Sequence, residues 1–399
     1  MPSSAPPLWI SIATLMCAIA IVGTNALLLS PLVQTVGADL AASPAQVLWA
    51  SSGYGLGVAA AALLIAPIGD RIGAGRLLRM ALAVLTLGFV ASALAPSLAA
   101  LIAAQVLCGL AGGAALPSIY TMAAVIAPKG REARVVGAVL TGWTLSLVLG
   151  VSLAAWSAEL VGWRAVYGAL AALCALIWTL SAPLARLDEP GGAASSPLSA
   201  LRVPGMARGI FASVGLMLSF YVTYSYTGAH ATVSLGLSTG QAGLLPLIYG
   251  LGFGGAVLLD PILDRIGMAR ATTPVFLALS LVYLAMGVLG ASYMLFLALA
   301  ALWGIFQHFG LNLLVARLTV LDVRQRGAIM GLYSTTTYLS VFAAPFVGGI
   351  GFQALGIMGC VLISAALTTL AAVEALSLRR SSLPFTTDPA QPGAPDAPA

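Results

Sequence analysis

Apolar stretches of about 20 residues follow one another along this chain, separated by short polar loops. A helix of that length crosses roughly 30 Å of hydrocarbon. The pattern predicts twelve spans, over about residues 8–32, 45–67, 77–95, 98–126, 135–157, 164–185, 209–233, 241–263, 271–290, 292–318, 328–350 and 354–378. The first is too long for the core of a cleaved signal and has no Lys or Arg before it. The expected fold class is an all-α integral membrane protein.

The loops supply the orientation. With the N-terminus in the cytoplasm, the inner loops hold Arg71, Arg76, Arg79, Lys129, Arg131, Arg134, Arg186, Arg202, Arg208, Arg265, Arg270, Arg317, Arg324, Arg326, Arg379 and Arg380. Of the 17 basic residues, that leaves Arg164 alone for the outside. Lys and Arg are retained on the cytoplasmic side during insertion. The expectation is a multi-pass membrane protein with both termini cytoplasmic.

The chain also repeats itself. Asp70-Arg71-Ile72-Gly73-Ala74-Gly75-Arg76 returns 194 positions later as Asp264-Arg265-Ile266-Gly267-Met268-Ala269-Arg270. The same offset carries Gly137 onto Gly331, and Gly150-Val151 onto Ala344-Pro345. Two pseudosymmetric six-helix bundles are expected, at residues 1–185 and 209–378. Between them, residues 186–208 read as a cytoplasmic linker rich in Gly, Ser, Pro and Ala. The tail, 379–399, lacks apolar periodicity and reads as disordered. Such duplication inside an apolar chain is the architecture of a secondary transporter.

Composition narrows the function. Charged residues are 7% of the chain, against about 25% in a soluble domain. The net charge of +5 does not mark a nucleic-acid binder, because the basic residues are scattered among loops and form no aromatic-studded patch. Cys17, Cys108, Cys174 and Cys360 lie inside apolar spans, without metal-ligand spacing, and read as packing residues. No metal cluster, nucleophile elbow or phosphate loop is present in the sequence. An enzyme is not expected, nor a cofactor.

Twelve spans in two halves, with Asp70-Arg71-Ile72-Gly73 after the second, resemble the major facilitator superfamily. Gly162-Trp163-Arg164 with Tyr167 is similar to an element of its bacterial drug exporters. Leu149-Gly150-Val151-Ser152-Leu153-Ala154 resembles the fifth-span motif of drug:proton antiporters and arabinose-efflux-like permeases. The chain departs from those patterns at Ala66, where Gly is usual, and at Ser152, where Pro is frequent. It departs again at Gln105, where many antiporters carry Arg, and at Asn25, where several carry an acid.

The resemblance implies that Asp70 faces the start of span 11 near Gln325, Arg326 and Gly327. By internal symmetry Asp264 faces Arg131 and Arg134. With Arg71, Gly73, Arg76, Arg265, Gly267 and Arg270, these residues would tie the halves together on the inside and release them when the protein opens inward. A carboxylate meeting a helix N-terminus there contributes about 0.3–1 kcal/mol at exposed sites. The competing reading is that they cap helices and anchor loops.

The family's path is lined by spans 1, 4, 7 and 10. Amides, histidines and tyrosines concentrate in those spans, where a wet cavity would satisfy them. The candidate substrate-binding residues are Asn25, Gln105, Tyr221, Tyr224, Gln307 and His308, with Tyr54, Trp143, Tyr249 and Tyr338 as aromatic walls. Hydrogen bonding between helices is the alternative for the amides, and packing for the aromatics. A nearly uncharged, aromatic site suits a small neutral or amphiphilic organic compound. No carboxylate is predicted at the middle of a path-lining span. Glu374 is expected to snorkel to the interface. His308 and then Asp260 are the proton-coupling candidates. The resemblance implies proton-coupled efflux across a bacterial inner membrane by a monomer, its partners being substrate, protons and the bilayer. Import or uncoupled facilitation of a nutrient such as a sugar stays open.

Overall fold

The computed structural model describes residues 7–65, 71–187 and 197–380. Ala66, Asp70, residues 188–196 of the linker and the tail beyond Arg380 lie outside the described residues. Twelve helices are long and apolar enough to cross a membrane: α1 Leu8–Asp39, α2 Pro44–Leu64, α3 Ala74–Ala93, α4 Leu98–Val125, α5 Arg134–Val161, α6 Trp163–Arg186, α7 Met206–Ser234, α8 Thr239–Ile266, α9 Met268–Leu289, α10 Tyr293–Thr319, α11 Val323–Leu355 and α12 Ile357–Ser377. They match the predicted spans one for one, and no strand occurs among the described residues. An even number of crossings puts the start of α1 and the end of α12 on one face, called here the terminal face.

The sequence repeat is also a repeat of conformation. Gly73 (φ 95°) starts α3 and Gly267 (φ 82°) starts α9; Gly162 (φ 83°) starts α6 and Gly356 (φ 62°) starts α12. Positive φ suits glycine, which has no Cβ to clash. Ser43 and Ser238 open α2 and α8 with the same capping box. Each hydroxyl accepts from the backbone N–H of Gln46 or Gln241 (3.3 and 3.2 Å), whose side chain accepts in return from the serine N–H (2.8 and 2.9 Å).

Within each set of six helices, one glycine crossing fixes the spacing. Tyr54 and Gly57 of α2 lie against Gly109 of α4, and Tyr249 and Gly252 of α8 lie against Gly304 of α10. A Cβ at Gly109 would stand 2.1 Å from the Tyr54 carbonyl oxygen, and one at Gly304 would stand 2.2 Å from that of Tyr249. Here backbone touches backbone, which only small residues permit.

Across the halves, α1 packs on α7, α2 on α11 and α5 on α8. Hydrogen bonds join them at the end away from the terminal face. Ser30 Oγ donates to the Tyr224 carbonyl (2.7 Å) and accepts from the Gly228 N–H (3.3 Å); Tyr224 Oη donates to the Leu27 carbonyl (3.3 Å). The Thr35 and Thr239 hydroxyls meet at 2.8 Å. Helices α5 and α8 stay in contact down to Thr144 and Gly254. Beyond that, the last turns of α8, Asp260–Ile266, bury no residue. Among the described residues no cross-half hydrogen bond lies near the terminal face. Among the described residues the halves are therefore hydrogen-bonded at the far end, and α8 draws away from α5 toward the terminal face.

Helices α3, α6, α9 and α12 expose large apolar side chains such as Leu87, Leu176, Leu281 and Val373, and α5 and α8 expose Trp156 and Leu258. The described part of the linker carries local structure. Residues Pro197–Arg202 form a 3₁₀ turn with Pro197 and Ala200 buried, followed by buried Val203 and Met206. A spacing of three puts these four apolar residues on one face of a 3.0-residue turn, and Pro197 packs over Gly331 at the start of α11.

Gly109→Val and Gly304→Val are each expected to destabilise the protein by at least about 1–3 kcal/mol, the range for overpacking. The midpoint of thermal unfolding in detergent checks this. A midpoint unchanged in both would mean the crossings are not close-packed.

Candidate functional site

Tyrosines from both halves converge on the centre of the bundle. Tyr221, midway along α7, lies in the neighbourhood of Tyr54, Tyr224, Tyr249, Tyr333 and Tyr338. Tyr120 of α4 lies in that of Tyr333 and Tyr338. Trp143 of α5 donates its indole N–H to Tyr120 Oη at 3.2 Å. Burial sorts these residues. Tyr54, Tyr224, Tyr249 and Tyr338 are buried, whereas Tyr120, Trp143, Tyr221 and Tyr333 are half-buried. Tyr54 packs against Gly112, its hydroxyl 3.4 Å from the Val22 carbonyl. Tyr249 packs against Phe220, Phe253 and Trp303. Tyr224 sits in the cross-half closure. Of the expected aromatic residues, Tyr221 and Trp143 thus retain accessible surface. Tyr120 and Tyr333 join them, and nothing in the sequence separates either from an aromatic at headgroup depth.

The amides divide. Gln105 is fully buried inside the first six helices. Its Oε1 accepts from Asn25 Nδ2 (3.0 Å), and its Nε2 donates to Ser92 Oγ (3.1 Å) and Tyr167 Oη (3.3 Å). Helices α1, α3, α4 and α6 meet at this one side chain, which is the interhelical alternative for Gln105 rather than a substrate contact. Asn25 Oδ1 and Gln307 Oε1 are buried without a hydrogen-bond partner.

The second half holds an ionisable cluster. His308 Nε2 lies 3.1 and 3.3 Å from the two carboxylate oxygens of Asp260. Asn312 Nδ2 donates to Asp260 Oδ1 (3.3 Å) and is 2.9 Å from His308 Nε2. Asn312 stands four residues after His308 and so shares its face of α10. Asp260 reaches them because residues Ala256–Leu259 of α8 tighten into a 3₁₀ turn. Four residues at 3.0 rather than 3.6 per turn rotate the remainder of the helix by roughly 80°. Phe253 stacks its edge at 5.1 Å on the imidazole. The His308 side chain is 9% exposed and that of Asp260 31%, so the cluster is sheltered but reachable through its carboxylate.

Other charges are held elsewhere. Glu374 does not snorkel. It forms a two-pronged ion pair with Arg317, Nη1–Oε2 2.7 Å and Nη2–Oε1 2.8 Å, with both side chains largely buried. At the far end Asp39 accepts from Arg164 and from Trp163 Nε1 (3.1 Å), while Arg164 Nη2 donates to the Ala95 carbonyl (2.9 Å). Asp264, Arg71, Arg76, Arg131, Arg134, Arg265 and Arg270 are exposed, and their side chains form no ion pair among the described residues. Asp264 thus does not meet Arg131 or Arg134 in this conformer, as the parting of the halves at the terminal face requires. Arg326 Nε donates instead to the Thr319 carbonyl (2.9 Å). Gln325 pairs with Asp322 through Nε2 (3.1 Å).

A sequence profile of the Major Facilitator Superfamily matches residues 15–345. The chain belongs to the major facilitator superfamily. Its relatives include three proteins of Bacillus subtilis, each described as an uncharacterized MFS-type transporter. YwfA is 28% identical over 376 residues, covering 91% of this chain and 90% of its own. YceJ is 25% identical over 358 residues, covering 86% and 89%. YbcL is 26% identical over 218 residues, covering 54% of each. Family membership makes the chain a transporter. Ser152 lies in the glycine-containing stretch of α5. Its hydroxyl donates to the Leu147 carbonyl at 3.0 Å, within a π-helical turn at Ser146–Val151. That turn meets α1 where Gly150 touches Thr24 and Gly23 touches Ser146.

Two tests probe the buried polar contacts of this superfamily member. Gln105→Leu strands three polar partners and is expected to cost about 1–3 kcal/mol, lowering the thermal midpoint without changing the KM of the folded fraction. A raised KM at an unchanged midpoint would return Gln105 to the path. Arg317→Met alone is expected to cost about 3–5 kcal/mol, while Arg317→Met with Glu374→Leu lies near wild type. Thermal unfolding of the pair of variants decides, and equal losses would mean that the ion pair itself stabilises the protein.

Proposed function

We propose that this transporter exports a small neutral or amphiphilic organic compound in exchange for protons, by alternating access between two six-helix units. The observation that carries the reading is the contact of His308 with both oxygens of Asp260. An imidazole is the side chain that ordinarily changes charge in the physiological range, and a carboxylate kept inside a membrane bundle is costly unless it is used. Protons reaching this pair from one face and leaving to the other would couple the gradient to the swing of the halves.

The substrate site of this reading lies at the half-buried aromatic centre, with Tyr221 and Trp143 from the expected set and Tyr120 and Tyr333 beside them. Asn25 and Gln307 bring unpaired amide oxygens that a hydroxyl or amine of the substrate would satisfy. Sites of this kind lie near the midplane between repeats. Among the described residues no arginine or lysine faces this centre, which disfavours phosphates and polyanions. The basic loops assign the terminal face to the cytoplasm. The conformer described here is then inward-facing. Asp70 and Asp264, with Arg131, Arg134 and Arg326, would close the inner face in the opposite state.

Everted vesicles offered a panel of amphiphilic compounds in the external medium, with and without an acid interior, test this. Wild type is expected to accumulate its substrate only with the gradient. His308→Ala and Asp260→Asn are expected to lose gradient-driven accumulation while keeping downhill exchange. Gradient-driven accumulation retained by both variants would remove the pair from coupling, and uptake indifferent to the gradient in wild type would favour the facilitator.

A further inference from the structure

The closure at the face away from the termini contains one carboxylate. Glu159, near the end of α5, accepts through Oε2 from Ser238 Oγ at 2.8 Å and from the Gly240 N–H at 2.6 Å. Both donors belong to the start of α8, in the opposite half. The other cross-half hydrogen bonds among the described residues join hydroxyls and backbone groups. A hydrogen bond to an ionised acceptor is roughly twice as strong as a neutral one.

The site is built for that approach. A Cβ at position 240 would stand 2.5 Å from Glu159 Oε2, and one at 243 would stand 2.7 Å from Ala155 Cβ. The internal repeat supplies the control. Glu159 stands three residues before Gly162, and Gln353 stands three residues before Gly356, the matching positive-φ glycine. Gly240 stands two residues after the capping Ser238, and Ala45 stands two residues after the capping Ser43. Helices α11 and α2 therefore meet as α5 and α8 do, with Gln353 in place of Glu159 and Ala45 in place of Gly240. There the side chain is exposed, and no hydrogen bond joins Gln353 to Ser43 or Ala45. The neutral amide lacks the charge, and Ala45 carries the Cβ for which the latched edge has no room.

We propose that Glu159 is the latch of this gate: a positioning residue that holds α8 to α5 at one edge only and sets how readily the face away from the termini opens. The proposal rests on the alternating-access reading above, but its test needs neither substrate nor gradient.

Hydrogen–deuterium exchange of the full-length protein in lipid nanodiscs reads the gate directly. In Glu159→Gln, exchange over residues 235–243 and 28–38 is expected to rise roughly threefold, the scale of losing one exposed charged contact. Exchange in α9 and α12 stays at the wild-type level. Gly240→Ala, which leaves the carboxylate in place but crowds its seat, gives the same local pattern. Gln353→Ala, at the unlatched edge, changes nothing. Wild-type exchange at both segments in Glu159→Gln and Gly240→Ala would overturn the proposal. An equal rise in α9 and α12 would also overturn it, because it marks a general loss of packing. The local rise in a protein that fails the vesicle test would keep the latch and reject the coupling.

Discussion

Backbone contact through glycine is the constraint on which this structure depends. In hydrocarbon the helices gain little from burying apolar surface against one another, so close packing must hold them. At Gly109 and Gly304 the approach leaves no space for even a methyl group. These two crossings set α2 on α4 and α8 on α10, and hence the position of the helices that face the other half. The tyrosines Tyr54 and Tyr249 belong to the same crossings. Their burial follows from the spacing and leaves the half-buried rings of Tyr120, Trp143, Tyr221 and Tyr333 to shape the centre.

The same device operates more loosely between the halves. Gly55 brings α2 onto the backbone of Tyr338 and Phe342, Gly228 brings α7 onto that of Ser30, and Gly240 and Gly243 bring α8 onto α5. Those contacts stand alongside a few hydrogen bonds at one end and leave the terminal face unbonded among the described residues. An interface made of glycine contacts and hydroxyl bonds has little to desolvate when it opens. That suits a motion repeated in every cycle better than an apolar interlock would.

Much of the fold was legible in sequence because it is written in period and repetition. Twelve apolar runs gave twelve helices. The 194-residue offset found the paired glycines Gly73 and Gly267, and their shared positive φ explains why both are glycine. The site was less legible, since depth along a helix can be read from sequence whereas the face a residue occupies cannot. Gln105 sits at a plausible depth but turns toward Ser92 and Tyr167. Asp260 lies near the end of the apolar run 241–263, and the 3₁₀ turn before it brings it to His308. Glu374 lay at interface depth, but its partner Arg317 is 57 residues away in the chain. The linker hid its own order, since a period of three in Pro197, Ala200, Val203 and Met206 belongs to neither the helix nor the strand pattern.

The paired charges divide by the chemistry of their basic partner. Three ion pairs occur among the described residues: Arg164 with Asp39, Arg317 with Glu374, and His308 with Asp260. Arginine does not give up its proton in a protein, so the first two pairs are fixed once formed. Releasing either partner of the Arg317 pair would leave a bare charge in a dry place. The third pair contains no arginine, and that difference in side-chain chemistry is what the coupling proposal rests on.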